Sequence, residues 1–293
     1  MAMPETAPHD ERRICVIRNP VAGTRHFDMD ELLERAGRRF HVEETKGPGD
    51  ARQLAMDAAA AGFAIVVAAG GDGTVNEVAA GLLGSRSALA ILPLGSGNGL
   101  ARHFGVPLRP QDALATIGRK EIRRMDVGRI NGLPFFCTAG IGFDAHVSRH
   151  FATNGRRGLR AYTETVLARY WRYVPAEIRL QAGTESFHSS CFLLTFANAS
   201  EYGNGARIAP DASVFDGELD LCLIDRLPPR RAFRAAWALM HGTFQQQEGI
   251  FRRGARFSVA APEKVEFHID GDFAGEEDSF EIGVEGQLLA VAM

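Results

Sequence analysis

Short apolar runs and longer amphipathic stretches alternate along the first part of the chain. Four runs of β-branched and other apolar residues have the length of buried strands, at 14–19, 40–45, 64–69 and 89–94. Stretches with helical spacing lie between and after these runs, at 29–38, 50–61, 75–84, 98–104 and 110–117. Strands separated by helices of this length are typical of βαβ units. The pattern therefore predicts an α/β domain with a parallel sheet.

The pattern changes after about residue 120. Asn131-Gly132 lies between two apolar runs, which is a strong signal for a β-hairpin. Alternating runs follow at 176–181, 187–197, 217–225, 255–260, 264–270, 278–284 and 287–292, interrupted by helical stretches near 157–173 and 230–242. This predicts a mostly antiparallel β-sandwich domain. We expect domains at 10–120 and 121–293, and leave open whether the last residues pack back on the first domain.

Composition narrows the class of protein. A chain of 293 residues with 45% hydrophobic content can form two modest cores, and a net charge of −3 gives no general attraction to nucleic acid. The four cysteines are far apart and lack zinc-site spacing, so we expect buried thiols in a reducing compartment. The polar first residues and the absence of a long apolar window predict a cytoplasmic protein without a secretory signal.

Three glycine-rich loops follow predicted strands. They read RNPVAGT at 18–24, GGDGTVNEV at 70–78 and PLGSGNGLARHFG at 93–105. The carboxyl ends of parallel strands form the ligand-binding edge of an open sheet, and helix N-termini there favour anions. Neither a P-loop pattern nor a G-x-G-x-x-G pattern is satisfied, which disfavours a P-loop enzyme and a Rossmann dehydrogenase. The loops predict a site for a phosphorylated nucleotide.

Six motifs occur in order along nearly the whole chain: NPVAG, GGDGTVNEV, LPLGSGNGLAR, AGIGFDAHV, the segment 197–221 and IDGD. This ordered set resembles the diacylglycerol kinase catalytic-domain family, which includes bacterial lipid kinases, sphingosine kinases and ceramide kinases. The resemblance implies an N-terminal nucleotide domain, a C-terminal β-sandwich domain and an active site in the cleft between them. It also implies Mg²⁺-assisted transfer of the γ-phosphoryl group of ATP to a lipid hydroxyl.

The resemblance carries residue roles with it. It implies ATP contacts at Asn19, Thr45, Gly70, Gly71, Asp72, Gly73, Thr74, Asn76, Ser96 and Asn98. Asp72 would organise Mg²⁺ through water, and Arg102 and Asp126 match members of the same network. A strand-end cap at Asp126 and a solvated helix residue at Arg102 remain alternatives. Gly99 stands where many bacterial members have an aspartate, which leaves the acceptor and the metal geometry open.

The IDGD motif implies the general base. By resemblance, Asp272 would accept the proton of the lipid hydroxyl, while Asp270 would hold the turn or a cation. Asp72 is the rival, because it looks like the residue assigned as base in sphingosine kinases. A plain hairpin turn is the remaining alternative.

The segment PDASVFDGELD at 210–220 matches a stretch that holds a structural Mg²⁺ in some bacterial members. The resemblance implies a metal site at Ser213, Asp216 and Glu218, and oxygen ligands of this kind suit a hard cation. A surface turn with Asp-Gly at its tip is the alternative.

A lipid substrate requires an interface. The stretch 156–173 places one apolar stripe on a helical face, formed by Leu159, Tyr162, Val166, Tyr170 and Tyr173. The rest of it is enriched in arginine, at Arg156, Arg157, Arg160, Arg169 and Arg172, and the helix near 230–242 adds Arg230, Arg231 and Arg234. Basic amphipathic helices bind anionic membranes, so we expect peripheral membrane association. Packing of the stripe against the sandwich is the alternative.

Two further functions remain open besides a lipid kinase. One is a kinase for a soluble acceptor such as NAD, and the other is a non-catalytic lipid or nucleotide sensor on the same fold. The sequence indicates no nucleic-acid partner and leaves a homodimer open.

Overall fold

The computed structural model describes residues 13–23, 29–35, 39–117, 121–153, 159–203, 205–225, 227–240 and 249–293. The ends of three predicted helices, at 36–38, 156–158 and 241–242, lie outside the described residues, as do Arg156 and Arg157. The chain forms two compact units. One comprises the residues up to Met125 together with Gln287–Met293, and the other comprises Asp126–Gly286.

The first unit alternates strands and helices. Its strands are β1 (Ile14–Arg18), β2 (Phe40–Glu44), β3 (Ile65–Gly70) and β4 (Ala88–Pro93). Its helices are α1 (Met29–Arg35), α2 (Asp50–Ala60), α3 (Asp72–Gly81), α4 (Gly99–His103) and α5 (Pro110–Thr116). The four strands pair in parallel in the order β4-β3-β1-β2. Every residue of β3 and β4 is buried, as expected for strands covered on both faces.

The second unit is rich in antiparallel strands. The chain enters it within β5 (Ile122–Ile130) and leaves it within β15 (Asp272–Ala292). The other strands are β6 (Leu133–Phe135), β7 (Thr138–Gly142), β8 (Ala176–Ala182), β9 (Glu185–Ala197), β10 (Glu201–Gly203), β11 (Ala206–Arg207), β12 (Leu219–Asp225), β13 (Ile250–Gly254) and β14 (Arg256–Ile269). Three helices accompany them, α6 (Phe143–Thr153), α7 (Leu159–Tyr170) and α8 (Pro229–Met240).

Antiparallel pairing orders the main strands of this unit as β13-β12-β9-β7-β14-β15, with β8 paired to both β9 and β14. The predicted hairpin is present between β5 and β6. Its turn residues Asn131 and Gly132 have φ values of 48° and 79°, and Ile130 pairs with Leu133. A turn with two positive φ angles matches the twist of the flanking strands.

Helix α6 was not predicted from the sequence. Its apolar residues Phe143 and Val147 are four apart and both pack against Phe192 of β9. The Phe143 and Phe192 rings stack with centroids 4.6 Å apart. Two glycines precede the helix and three basic residues lie within it, so the sequence lacks a clear amphipathic helix pattern here.

The apolar stripe of α7 packs inward. Val166, Tyr170 and the following Tyr173 contact the same Phe143–Phe192 cluster. These three side chains therefore pack against the protein, which was the alternative to membrane contact. The side chains of Leu159, Arg160 and Tyr162 lie outside the described residues. Other apolar side chains are exposed: Leu167 of α7 at 65%, and Trp171 and Val174 beyond its end at 66% and 80%.

All four cysteines are buried and form no disulfide, as the sequence predicted. Burial raises the pKa of Cys15 to about 11, which suppresses its thiolate at neutral pH. Among the helices that the structure describes, none combines the length and the apolar character required to cross a bilayer.

Candidate active site

The loops after β1, β3 and β4 meet at one edge of the parallel sheet in the first unit. A Cβ at Gly23 would lie 2.9 Å from the carbonyl oxygen of Leu94, and a Cβ at Gly95 would lie 2.7 Å from Cα of Gly71. The three predicted glycine loops therefore pack against one another at the carboxyl ends of their strands, where α/β sheets bind ligands.

Asp72 joins two of these loops. It is the first residue of α3, and its carboxylate accepts hydrogen bonds from the backbone N–H groups of Asn98 (2.8 Å) and Gly99 (2.7 Å). Hydrogen bonds to a carboxylate are stronger than neutral ones, so Asp72 fixes the start of α4. Gly99, which stands in place of the usual aspartate, contributes its amide to this contact.

Two glycines permit this arrangement because a side chain has no room. A Cβ at Gly97 would lie 2.4 Å from Oδ2 of Asp72, and a Cβ at Gly70 would lie 2.4 Å from Oγ1 of Thr74. Both distances are far below van der Waals contact. Glycine at 97 therefore permits the close approach of the two loops, and glycine at 70 leaves room for the side chain of Thr74 in its own motif.

Asn19 connects the first loop to the second. Its Nδ2 donates to Oγ1 of Thr74 at 3.2 Å, and its Oδ1 accepts from the backbone N–H of Val21 at 3.1 Å. Its own N–H donates to the carbonyl of Ala69. Asn19 and Thr74 were both predicted as ATP contacts, and the structure brings them together.

Arg102 and Asn98 support the third loop. Nε of Arg102 donates to the carbonyl of Gly97 at 3.0 Å, and Nδ2 of Asn98 donates to the carbonyl of Gly95 at 2.8 Å. Asn98 is buried and has a φ of 54°, a conformation that asparagine tolerates. These contacts show how the two side chains shape the loop, and their predicted roles toward ATP stay predictions.

The remaining predicted ATP contacts lie on the same unit. Thr45 follows β2 and its N–H donates to the carbonyl of Arg18. Gly73 and Ser96 are exposed in the glycine loops, and Asn76 is half-exposed on α3. They stay predictions.

Glu77 is a residue that the sequence reasoning missed. Its carboxylate accepts from the N–H groups of Gly49 (2.9 Å) and Ala51 (3.1 Å), and so caps the start of α2 from the neighbouring helix α3. It thereby anchors the loop that contains Thr45. The sequence shows Glu77 as the glutamate of GGDGTVNEV. It does not show the partners, because Gly49 and Ala51 lie 28 and 26 positions earlier in the chain.

In the second unit, Asp270 is enclosed by backbone. Its carboxylate accepts from the N–H groups of Phe136, Cys137 and Thr138 at 2.7 to 3.2 Å. Burial raises the pKa of Asp270 to about 6, although these N–H groups act in the opposite direction. Asp270 therefore holds its turn through these amides. Asp272, two residues later, is exposed at the start of β15.

Asp126 belongs to the same network. It is 3% exposed, and its Oδ2 accepts from the N–H of Gly217 at 2.8 Å. The amide of Asn198 donates to the carbonyls of both Asp126 and Phe136 at 3.0 Å. Asn198 thus links Asp126 to the backbone segment that encloses Asp270. The role of Asp126 in a water-bridged Mg²⁺ network stays a prediction.

The predicted structural metal site contains an arginine. The guanidinium of Arg253 contacts Asp216, Glu218 and Asp220, with Nε lying 3.7 Å from Glu218 and 3.3 Å from Asp220. Burial raises the pKa of Asp220 to about 6, and Arg253 limits that rise. Ser213 accepts from the N–H of Phe215. The guanidinium brings one positive charge to these three carboxylates. The structural metal site at Ser213, Asp216 and Glu218 stays a prediction.

Family models match both units. Residues 13–130 match the diacylglycerol kinase catalytic domain, and residues 137–292 match the YegS C-terminal NAD kinase beta sandwich-like domain. The chain therefore belongs to the diacylglycerol kinase catalytic-domain family, and the protein is a kinase. The resemblance inferred from the sequence is confirmed.

Individual relatives cover most of the chain. A protein described as "Probable lipid kinase YegS-like" from Pseudomonas aeruginosa is 35% identical over 269 residues, covering 89% of this chain and 88% of its own. A diacylglycerol kinase of Bacillus subtilis is 28% identical over 90% of this chain and 91% of its own. A crystal structure described as a diacylglycerol kinase from Bacillus anthracis shares the fold, with a TM-score of 0.73, 20% identity and 96% coverage of both chains.

Proposed function

We propose that this kinase transfers the γ-phosphoryl group of ATP to a hydroxyl of a diacylglycerol-like or sphingoid lipid. The observation that carries the proposal is the bonding of Asp72 to Asn98 and Gly99, which fixes two glycine-rich loops at the ligand-binding edge of the sheet. Phosphoryl transfer depends mainly on positioning and on neutralising phosphate charge. Amides and a carboxylate held in advance are suited to that task. Relatives described as lipid kinases support the lipid as acceptor.

Mg²⁺ is the cofactor that this chemistry requires, because it neutralises charge on the β- and γ-phosphates. Among the described residues, no group of three or more Asp, Glu, His or Cys side chains forms a metal site. Mg²⁺ in kinase sites usually takes one or two carboxylates, waters and phosphate oxygens. Each oxygen of Asp72 accepts one amide and retains a lone pair, so Asp72 would hold Mg²⁺ through water.

Asp272 is the proposed general base. It is exposed and adjoins the turn that Asp270 fixes, so its carboxylate is held on a defined backbone. As the proposed base, this exposed aspartate accepts the hydroxyl proton as the bond to phosphorus forms. Asp270 is unsuited to this role because its oxygens are already bonded to three amides.

A membrane surface is the proposed location of the lipid acceptor. Leu167 near the end of α7, and Trp171 and Val174 in the segment that follows it, are exposed. Exposed Arg172 adjoins them, and exposed Arg230, Arg231 and Arg234 lie on α8. Apolar insertion combined with arginine suits an anionic bilayer.

The test is phosphate transfer from radiolabelled ATP to lipids in mixed micelles. The panel contains diacylglycerol, monoacylglycerol, sphingosine, ceramide and phosphatidylglycerol, with NAD as a soluble acceptor. Labelling of a lipid supports the proposal. Labelling of NAD alone would establish a soluble-acceptor kinase, an alternative suggested by the NAD kinase-like description of the second domain. ATP binding without transfer would indicate a sensor.

A further inference from the structure

A buried histidine and aspartate lie directly behind the D-G-D turn. His268 on β14 is 1% exposed, and Asp144 in the first turn of α6 is 8% exposed. Nε2 of His268 lies 2.9 Å from Oδ2 of Asp144, across 124 positions of sequence. The machinery described above does not use either side chain.

The hydrogen bonds around the pair assign the tautomer of His268. The N–H of Gly271, the central residue of the turn, donates to Nδ1 of His268 at 3.3 Å. Nδ1 therefore carries no proton, and the imidazole donates through Nε2–H to Asp144. Asp144 also accepts from the N–H of Ala145 at 2.8 Å and from Oγ1 of Thr195 at 3.4 Å. A chain of bonds thus runs from α6 through His268 to the turn.

The surrounding backbone is adapted to the pair. A Cβ at Gly140 would lie 2.5 Å from both Oδ2 of Asp144 and Nε2 of His268. Glycine at this position of β7 therefore leaves the space that the pair occupies. Burying an aspartate and a histidine costs more than burying two apolar side chains, so the pair is weak evidence for stability alone.

We propose that His268 is a positioning residue that holds the D-G-D turn by accepting the N–H of Gly271 at Nδ1, while Asp144 accepts its Nε2–H, and that it so fixes the direction of the Asp272 carboxylate. The catalytic consequence rests on the proposed function, whereas the structural link to the turn does not. Asp270 holds one side of the turn through three amides, and His268 holds its centre. A base displaced by even 1 Å loses much of its effect, so the second anchor matters.

Two substitutions of His268 test the bond to Gly271 separately from the bond to Asp144. In His268→Asn, the side-chain carbonyl takes the place of Nδ1 and can still accept from Gly271. In His268→Gln, the amide reaches the place of Nε2 and can still donate to Asp144, but the acceptor for Gly271 is lost. We expect kcat to fall at least tenfold in His268→Gln with KM for ATP unchanged, and to be largely retained in His268→Asn. Hydrogen exchange of the peptide 267–275 should accelerate only in His268→Gln.

The control is Thr195→Val, which removes a bond to Asp144 without altering the contact with Gly271, and should leave kcat and exchange unchanged. Wild-type kcat and exchange in both His268 variants, or losses only in His268→Asn, would overturn the proposal. If the wild-type enzyme phosphorylates no lipid, the proposed function fails, and the exchange comparison still decides the link to the turn. If neither variant folds, ¹⁵N NMR of His268 in the wild-type protein decides, because a proton on Nδ1 contradicts the assignment.

Discussion

Asp270 and Asp272 are two residues apart, yet their surroundings are opposite. Three backbone N–H groups enclose the carboxylate of Asp270, whereas Asp272 is exposed at the first position of β15. One carboxylate therefore holds the backbone of the turn, and the other is exposed to solvent. The two positions should respond differently to the same substitution.

The first prediction concerns Asp272. Asp272→Asn removes the proposed proton acceptor, so kcat should fall by about 10²–10⁴-fold while ATP binding stays near normal. Steady-state kinetics with a lipid acceptor measures the first quantity, and calorimetry measures the second. Asp278→Asn, an exposed aspartate on the same strand, is the control. Unchanged kcat in Asp272→Asn together with loss in Asp72→Asn would move the base to Asp72.

The second prediction concerns Asp72. Asp72→Asn retains one acceptor for the amides of Asn98 and Gly99 but loses the charge, so transfer should fall at least about 100-fold. The cost in unfolding free energy should be about 1–3 kcal/mol, since one amide loses its partner. Urea denaturation and the transfer assay report the two effects. Asp57→Asn on the exposed face of α2 should change neither, and full activity in Asp72→Asn would remove this carboxylate from the mechanism.

The third prediction concerns loop packing. Gly97→Ala places a Cβ 2.4 Å from Oδ2 of Asp72, so the carboxylate must move away from the amides of Asn98 and Gly99, at a cost of about 1–3 kcal/mol in unfolding free energy. Gly73→Ala is the matched variant, because nothing lies within 4 Å of its Cβ and alanine favours the helix. Thermal melting without nucleotide compares them. Equal melting temperatures would show that the loops do not pack as closely as described.

The fourth prediction concerns the pH dependence of stability. Because burial raises the pKa of Asp270 to about 6, from 3.8 in the unfolded chain, its contribution is fully present below pH 3.8. That contribution is lost as pH rises through 6. The advantage of wild type over Asp270→Asn in urea denaturation should therefore be larger at pH 5 than at pH 7.5. An advantage that grows with pH would contradict the raised pKa. Asp278→Asn should show no such trend.

The fifth prediction concerns the membrane. The double substitution Trp171→Ser with Val174→Ser should reduce sedimentation with anionic phosphatidylglycerol vesicles at least about tenfold, because two exposed apolar side chains no longer insert. Binding of wild type should also decline with salt, since surface attraction is screened within about 8 Å at physiological ionic strength. Leu133→Ser, at 46% exposure on the β5–β6 hairpin, is the control. Equal binding to neutral and anionic vesicles would rule out the electrostatic part.

The sequence predicted the strands and helices of the first unit closely. The buried strands β3 and β4 are continuous apolar runs that end at glycine loops, so pattern and turn chemistry agree at the same residues. The long strands β14 and β15 were predicted as pairs of shorter runs. A register shift between Ala260 and Val265 interrupts the apolar–polar alternation of β14, although β14 stays paired with β15 on both sides of it. The sequence pattern therefore predicts two short strands where the structure has one.

The parts of the site that the sequence did not reveal depend on distant pairs. Asp144 and His268 are separated by 124 positions, and each alone is an ordinary polar residue. Arg253 likewise meets its carboxylates only through the pairing of β12 with β13. A local motif identifies residues that are close together in the sequence. The partners of His268 and Arg253 are brought to them by the pairing and packing of distant segments.

The Arg253 cluster has a consequence for how the protein depends on its surroundings. A bound cation dissociates when its free concentration falls, but a guanidinium on β13 is covalently part of the chain. The positive charge beside Asp216 and Asp220 is therefore present whenever the protein is folded. Removal of magnesium would withdraw the proposed cofactor, whereas the contacts of Arg253 with Asp216 and Asp220 would remain.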